Sequence, residues 1–207
     1  MEITGVKLLI ATGNRGKQQE WRALLARLPM TILLPDALQL DLDVAETGET
    51  YRENAYLKAQ AFATASGLPA LADDSGLEVD ALDGAPGVRS ARYRLGTDKV
   101  RYQALLDALE GVPQSQRTAR FRCVAVLVLP DGRRFDTEGV CEGFITDAPA
   151  GELGFGYDPV FYIPQLQQTL AQLPQTVKNQ ISHRARAATA MRVILADIFS
   201  IASGLVK

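Results

Sequence analysis

The N-terminal part of the chain places an apolar segment, a glycine-containing turn and an amphipathic segment in immediate succession. Residues 7–12 are mostly apolar, and the turn-forming sequence Gly-Asn-Arg-Gly follows at positions 13–16. Beyond this turn, apolar residues recur at the spacing of one helix face: Trp21, Leu24, Leu25 and Leu28. A buried strand that enters a helix through a short loop is typical of α/β folds, so we expect an α/β protein.

A second helix is marked at both ends by residues that cap helices. Thr50 precedes Glu53 at the spacing of a capping box, and the alanine-rich residues 55–66 end at Gly67. The sequence therefore predicts a helix that begins just after Thr50 and ends at this glycine.

An acidic pair follows this helix. A short apolar strand over residues 70–72 leads into Asp73 and Asp74, and alternating apolar residues over 77–81 indicate a further strand. We therefore expect the two aspartates to lie at the end of a strand, in the turn before the next one.

The rest of the chain mixes helical and strand-like segments. Residues 83–96, rich in glycine, proline and arginine, predict an ordered loop, and a helix containing Leu105, Leu106 and Leu109 follows. Strands are indicated over residues 121–129, 135–145 and 160–163, with the hairpin signal Asp131-Gly132 between the first two. Ser182 is placed to cap a last helix, whose apolar face comprises Ala188, Met191, Leu195, Ile198 and Ile201. This pattern predicts a mixed sheet, and the length of 207 residues fits one domain.

Charge and composition argue against a nucleic-acid or membrane protein. The formal net charge is −2, from 22 basic and 24 acidic residues, so the summed field does not attract a polyanion. A local basic stretch is better explained as a solvated or phosphate-facing loop: Arg89, Arg92, Arg94, Lys99 and Arg101. Residues 1–4 begin no signal segment, and no apolar run reaches the roughly 18 residues that span a bilayer. With Cys123 and Cys141 as small buried side chains, we expect a reduced, cytoplasmic protein.

The loop between the first strand and the first helix has the features of an anion site. Free backbone N–H groups and the positive end of a helix dipole favour a phosphate over residues 12–17, and Lys17 adds a positive charge. The loop is too short for a Walker A motif, and Gln18 stands where that motif requires Ser or Thr. An ordinary glycine-rich turn explains the same residues.

Carboxylates on either side of the second helix indicate a cation site. Glu46 and Glu49 precede this helix, whereas Asp73 and Asp74 follow it. Magnesium prefers oxygen ligands and is commonly held by one or two carboxylates together with substrate phosphates and water. Taken singly, Glu49 is also explained by the helix dipole, and Asp-Asp-Ser-Gly by an ordinary turn.

The single histidine offers no nucleophilic mechanism. His183 stands near Lys178, Arg184 and Arg186, and no serine or cysteine has the flanking pattern of a nucleophile elbow. These donors are suited to the acceptor edge of a base or to phosphate, although a solvated basic helix start is a common alternative. Residues 154–159 offer aromatic rings for base stacking, or a packed aromatic turn.

Six motifs in this order resemble those of the inosine triphosphate pyrophosphatase family, also described as XTP/dITP diphosphatases. They are ATGNRGK at 11–17, ETGETYRENA at 46–55, ADDSGL at 72–77, GAPGVRSARY at 84–93, FGYDP at 155–159 and SHR at 182–184. The resemblance extends from about Leu8 to Ala188. It implies an α/β fold with an elongated mixed sheet flanked by helices, two lobes around a central cleft, and a homodimer.

The resemblance also implies a role for each matching residue. Glu46 and Asp74 would hold Mg²⁺, with Asp74 also accepting the proton of the attacking water and Asp73 supporting the metal shell. The residues implied in phosphate binding are Thr12, Gly13, Asn14, Arg15, Gly16, Lys17 and Lys58. Those implied in binding the rest of the substrate are Ser75, Phe155, Gly156, Tyr157, Asp158, Lys178, His183 and Arg184. The sequence departs from the family at Val177, where members often carry an acidic residue.

The implied activity is hydrolysis of nonstandard purine nucleoside triphosphates, such as ITP, dITP and XTP, to monophosphate and pyrophosphate. Hypoxanthine and xanthine present an acceptor O6, which matches the donors of His183 and Arg184, whereas the amino group of adenine leaves them unpaired. Two other functions remain open at this stage. One is a related pyrophosphatase for modified or pyrimidine nucleotides, and the other is a nucleotide- or RNA-binding module without catalysis.

Overall fold

The structure is a computed structural model that describes residues 5–200 of the chain. Its strands are β1 (Lys7–Ile10), β2 (Thr31–Leu33), β3 (Ala70–Val79), β4 (Thr118–Val128), β5 (Arg134–Ile145), β6 (Phe161–Ile163) and β7 (Gln168–Thr169). Its α-helices are α1 (Arg15–Leu25), α2 (Tyr51–Ser66), α3 (Asp98–Ala108), α4 (Gln175–Ile181) and α5 (His183–Ile198).

The strands form one seven-stranded mixed sheet in the order β2-β1-β3-β4-β5-β6-β7. Strand β1 pairs in parallel with both β2 and β3, whereas β6 pairs antiparallel with β5 and β7. The turn between β4 and β5 is closed by backbone hydrogen bonds from Leu129 to Arg133 and from Gly132 to Leu129. The α/β class, the mixed sheet and the hairpin at Asp131-Gly132 are therefore confirmed.

The chain divides into two compact units. Within the described residues, unit 1 comprises residues 5–74, 123–139 and 184–200, and unit 2 comprises residues 75–122 and 140–183. Strands β3, β4 and β5 each contribute residues to both units. A cleft between two lobes stays a prediction.

The core of unit 1 is formed where α1 and α5 pack against the sheet. Trp21 and Leu25 of α1 are fully buried, as are Met191 and Leu195 of α5. Their partners in the same cluster include alternate residues of the strands, namely Leu8, Ile10, Leu71, Cys123, Ala125 and Leu127, together with Leu129 just beyond β4. The periodic apolar faces predicted for these helices are confirmed through Ile198, and Ile201 lies outside the described residues.

Helix α3 packs against the core of unit 2 through its C-terminal end. Leu105 and Leu109 are fully buried against Leu77, Phe161 and Leu170. The loop that leads to this helix is ordered as expected, with 3-10 helices over Asp80–Leu82 and Gly87–Arg92.

Helix α2 has the ends that its sequence indicates. Thr50 accepts from the Glu53 N–H through its side chain, Glu53 accepts from the Thr50 N–H in return, and Gly67 ends the helix in a left-handed conformation. The capping box satisfies donors that the first turn leaves without partners in the helix.

The expected position of the acidic pair was wrong. Asp73 and Asp74 do not end a strand, because β3 continues without interruption from Ala70 to Val79. Lysine and arginine side chains neutralise these carboxylates, so an acidic pair is tolerated inside a buried strand. The short elements β2, β7 and α4 were not expected, and each is too short for a clear periodic pattern.

Cys123 and Cys141 are both buried, as predicted. Within residues 5–200, no helix combines the length and the apolar character needed to cross a membrane. The predicted absence of a signal segment concerns residues 1–4, which lie outside the described residues.

Candidate functional site

The two aspartates of β3 point to opposite faces of the sheet, since successive side chains of a strand alternate. Asp73 lies on the side of the unit 1 core, where it contacts Trp21 of α1 and Arg184 of α5. Asp74 lies on the other side, where it contacts Asn54 and Lys58 of α2. The two carboxylates of this motif therefore have different environments and different chemical capabilities.

Asp73 is buried in a network of donors. Its Oδ1 accepts from the Trp21 indole at 2.8 Å, and its Oδ2 lies 3.0 Å from Nη2 of Arg184 and 3.0 Å from Nζ of Lys17. Arg184 also pairs with the buried Glu20 at 2.5 Å. Burial alone would raise the pKa of Asp73, but Arg184, Lys17 and Lys58 outweigh it and hold this pKa well below its usual value. Asp73 is therefore an anion with its oxygens already engaged.

Asp74 faces a second carboxylate across a single ammonium group. Nζ of Lys58 lies 2.9 Å from Oε1 of Glu46 and 3.7 Å from Oδ1 of Asp74. The same ammonium donates to the backbone oxygen of Asp73 at 2.8 Å. Acidic side chains from two separate segments thus converge on one cationic group. That Glu46 and Asp74 hold a metal ion stays a prediction.

The pKa of Asp74 is shifted in the opposite direction to that of Asp73. Burial raises the pKa of the Asp74 carboxyl, and the negative charge of Glu46 adds to this effect. Lys58 and Lys17 lower it without cancelling the increase. A carboxylate with a raised pKa is a stronger base than an ordinary aspartate, which suits Asp74 to accepting a proton.

The oxygen atoms around the Lys58 ammonium fit the ligand chemistry of magnesium. They comprise two carboxylates and one backbone carbonyl, which are hard oxygen donors. Across residues 5–200, histidine, cysteine, aspartate and glutamate side chains form no group of three that could hold a metal. Two protein carboxylates leave coordination positions for phosphate oxygens and water, which is common for this ion.

The loop before α1 is arranged around the N-terminus of this helix. Asn14 caps the helix by accepting from the Lys17 N–H at 3.0 Å, and its own N–H donates to Oγ1 of Thr12. The helix begins at Arg15, so Arg15, Gly16 and Lys17 form its first turn. The expectation that these three residues belong to the loop was therefore wrong. Lys17 reaches from this turn to Asp73. The helix start therefore contains a positively charged side chain.

A second set of predicted residues lies together in unit 2. Lys178 and Asp158 form a buried ion pair of 2.5 Å, and Nζ of Lys178 lies 5.7 Å from the centroid of the Phe155 ring. Asp158 also accepts from the Phe155 N–H at 3.2 Å. A Cβ at Gly154 would lie 2.0 Å from Asp158 Oδ2, so only glycine fits beside this pair.

Tyr157 and His183 are buried in the same unit. Tyr157 donates its hydroxyl to the backbone oxygen of Ser90 at 2.8 Å, and burial raises the pKa of this hydroxyl. The ring of His183 stacks on Phe121, with centroids 4.8 Å apart. Ser75, also of unit 2, is half-buried in β3.

Arg184 differs from the other residues predicted to bind the base. It belongs to unit 1, and its guanidinium is engaged by Asp73 and Glu20. The binding of Arg184 to a purine edge stays a prediction. So do the roles of the other predicted site residues in unit 1 and in unit 2.

Sequence reasoning did not single out four contact residues. Trp21 was assigned only to the apolar face of α1, although its indole donates to Asp73. Glu20 was not considered, although it pairs with Arg184. Asn54 contacts Asp74, and Phe121 contacts His183. Asn54 lies inside the ETGETYRENA motif, and its position there is the sequence feature that could have indicated a role at the site.

Comparison with known proteins identifies relatives over nearly the whole chain. The model of the Ham1 family matches residues 8–194. A dITP/XTP pyrophosphatase of Geobacillus kaustophilus is 50% identical over 190 residues, covering 88% of this chain and 91% of the relative. One of Geobacter sulfurreducens is 48% identical over 183 residues, covering 87% and 92% respectively.

Solved structures give the same result. A HAM1 protein from Coxiella burnetii has a TM-score of 0.84 at 41% identity, covering 93% of this chain and 100% of that chain. The Ham1 protein of Staphylococcus aureus has a TM-score of 0.82 at 40% identity, covering 93% and 99%. The chain therefore belongs to the Ham1 family.

Proposed function

We propose that this protein hydrolyses nonstandard purine nucleoside triphosphates, namely dITP, ITP and XTP, to the monophosphate and pyrophosphate, with magnesium as cofactor. The observation that carries the proposal is the convergence of Glu46 and Asp74 on the ammonium of Lys58. The names of the relatives, dITP/XTP pyrophosphatases, support the choice of substrate.

Glu46 and Asp74 are the residues that would hold the magnesium ion, with Asp73 keeping the neighbouring lysines in place. When bound, this ion supplies positive charge that offsets the negative charge of the phosphate oxygens. Lys58, which pairs with both carboxylates, would then be available to a phosphate oxygen.

The triphosphate is bound at the N-terminus of α1 in this proposal. Backbone N–H groups and the helix dipole stabilise an anion there, and Lys17 adds a charge-assisted hydrogen bond. The residues assigned to this role are Thr12, Gly13, Asn14, Arg15, Gly16, Lys17 and Lys58. The positive charges of Arg15, Lys17 and Lys58 also stabilise the pyrophosphate as it leaves.

Asp74 positions a water molecule and accepts its proton. The water oxygen forms a bond to the α-phosphorus, the bond from this phosphorus to the bridging oxygen breaks, and the electron pair leaves with pyrophosphate. The proton of the water goes to a carboxylate oxygen of Asp74, which acts as the general base. Positioning and electrostatic stabilisation account for most of the acceleration, and no covalent enzyme intermediate is required.

Selection of the base follows from hydrogen-bond polarity and stacking. We assign Phe155 to stacking on the purine, and Lys178 and His183 to its acceptor edge. Adenine presents a donor amino group there, which leaves a buried donor unpaired at a cost of roughly 1 to 3 kcal/mol. Ser75, Gly156, Tyr157, Asp158 and Arg184 complete the proposed substrate-binding set.

A cytoplasmic location, a homodimeric state and the absence of nucleic-acid or membrane partners are part of the same proposal. The near-neutral charge of the chain supports the absence of a polyanionic partner. Dimerisation rests on the family resemblance.

The proposal is tested by incubating the protein and magnesium with dITP, ITP, XTP, GTP and ATP while pyrophosphate and orthophosphate are measured separately. We expect pyrophosphate from the first three nucleotides, little product from ATP and no orthophosphate. Orthophosphate as the main product would refute a pyrophosphohydrolase, and a preference for other nucleotides would refute the assigned substrates.

The same assay tests the role of Asp74. Asp74→Asn should abolish turnover while nucleotide affinity is largely kept, because the amide retains the size of the side chain but cannot accept the proton. Asp83→Asn is the control, because Asp83 is exposed and is not one of the proposed metal-binding or substrate-binding residues. Full activity of Asp74→Asn would remove Asp74 from the mechanism.

A further inference from the structure

The loop that carries Phe155 is held by a carboxylate outside the set of proposed site residues. Oδ2 of Asp98, in the first turn of α3, accepts a hydrogen bond from the Gly156 N–H at 2.8 Å. The other oxygen of this carboxylate is paired with Arg101, whose guanidinium also donates to the Gly96 oxygen at 2.7 Å. Asp98 therefore has a fixed orientation toward the loop.

The helix that carries Asp98 is anchored in the core of unit 2. Leu105 and Leu109 at its C-terminal end are fully buried in the core of unit 2. Thr97 caps its N-terminus by accepting from the Val100 N–H. A carboxylate in the first turn also interacts favourably with the helix dipole.

The residue that Asp98 binds is a glycine with a positive φ. Gly156 has a φ of +64°, a conformation that glycine adopts without strain, and a Cβ there would meet no other atom within 4 Å. Its neighbours are tied by other contacts, since the Phe155 N–H donates to Asp158 and the Tyr157 hydroxyl to Ser90. The Asp98 bond thus holds the backbone of a glycine next to Phe155, at a position where the residue type itself restricts the backbone least.

We propose that Asp98 is a positioning residue that fixes the Phe155 ring for stacking on the purine. The inference rests on the proposed function, because it assumes that Phe155 contacts the base. Asp98 acts through the Gly156 N–H and touches no substrate itself. Its loss therefore weakens binding of the nucleoside part, whereas binding of the phosphate chain is kept.

Two ligands that each contain part of the substrate separate these effects. Inosine monophosphate carries the base, and inorganic tripolyphosphate carries only the phosphate chain. We compare their inhibition constants against dITP hydrolysis in the wild-type protein, Asp98→Ala and Asp98→Asn. Asp107→Ala is the control, since Asp107 lies on the same helix and contacts Gln103 on the surface.

For Asp98→Ala, we expect the inhibition constant of inosine monophosphate to rise about tenfold, because a charge-assisted hydrogen bond is lost. The constant of tripolyphosphate should stay within about twofold of the wild-type value. Asp98→Asn retains an acceptor oxygen and should recover most of the loss, and Asp107→Ala should match the wild type.

An unchanged constant for inosine monophosphate in Asp98→Ala would overturn the inference. So would equal weakening of both ligands together with a lower melting temperature, because that pattern indicates a purely structural role. If the wild-type protein does not hydrolyse dITP, the proposed function fails, and calorimetric binding of inosine monophosphate then decides. Weaker binding by Asp98→Ala than by the wild type would still support Asp98, and no binding by the wild type would overturn it.

Discussion

The side-chain amide of Asn54 donates a hydrogen bond to the Asp74 carboxylate over 3.2 Å, and both side chains are buried. The amide oxygen of Asn54 accepts from the Gly48 N–H at 2.8 Å. A Cβ at Gly48 would lie 2.8 Å from this oxygen, so the close contact requires glycine. One side chain thereby connects the strand that carries Asp74 to the segment that carries Glu46.

We predict that Asn54→Ala weakens magnesium binding by about tenfold and lowers the free energy of unfolding by about 1 to 3 kcal/mol. The first effect arises because the two carboxylates lose the link that relates their positions. The second arises because the Gly48 N–H loses its acceptor. Calorimetric titration with magnesium and unfolding in urea measure the two quantities.

Gln60→Ala is the matched control, because Gln60 lies on the same helix and its amide contacts Thr64. This variant should bind magnesium as the wild type does. Equal magnesium affinity in Asn54→Ala and the wild type would show that Asn54 does not position the two carboxylates.

The parts of the fold that sequence predicted correctly depend on local signals. Thr50, Glu53 and Gly67 define the ends of α2 through contacts within a few residues, and the apolar period of α1 defines its buried face. The continuity of β3 could not be inferred in this way. An acidic pair usually favours a turn, and the lysine and arginine side chains that make it tolerable inside a strand come from distant segments.

In the candidate site, too, contacts between distant segments could not be inferred from local sequence. Motifs indicated Glu46 and Asp74, the family resemblance implied Lys58, and the structure brings these three together. The engagement of Arg184 by Asp73 was not predictable, because these residues are separated by 111 positions and their contact depends on tertiary packing. Residues that act through others, such as Asp98, have no chemical signature in the sequence.

Lys17→Ala should weaken binding of tripolyphosphate much more than binding of inosine monophosphate. Lys17 lies in the first turn of α1, where its charge adds to the helix dipole, and a triphosphate carries more charge for it to neutralise than a monophosphate. Inhibition constants against dITP hydrolysis measure both. Lys7→Ala, which removes an exposed lysine of β1, is the control. Equal losses for the two ligands would contradict the assignment of Lys17 to the phosphate chain.

Tyr157→Phe should alter the pH dependence of stability in alkaline solution. Burial raises the pKa of this hydroxyl, so the folded protein binds its proton more tightly than the unfolded chain. The resulting stability is fully present below the unfolded pKa of about 10 and is lost as the pH rises above it. The variant lacks this contribution and should lose less stability than the wild type between about pH 9 and 11. Parallel urea unfolding curves over this range measure the difference, and identical pH profiles would contradict the prediction.

Arg184→Met should destabilise the protein by about 3 to 5 kcal/mol, because two buried carboxylates, Asp73 and Glu20, lose their shared cation. The double variant Arg184→Met with Glu20→Gln should recover part of this loss, since one uncompensated negative charge is then removed. Arg186→Met changes an exposed arginine on the same helix and should be nearly neutral. Urea unfolding at neutral pH measures the free energy of unfolding of the three variants. A loss in Arg184→Met no larger than in Arg186→Met would show that Asp73 and Glu20 do not depend on this guanidinium for their stability.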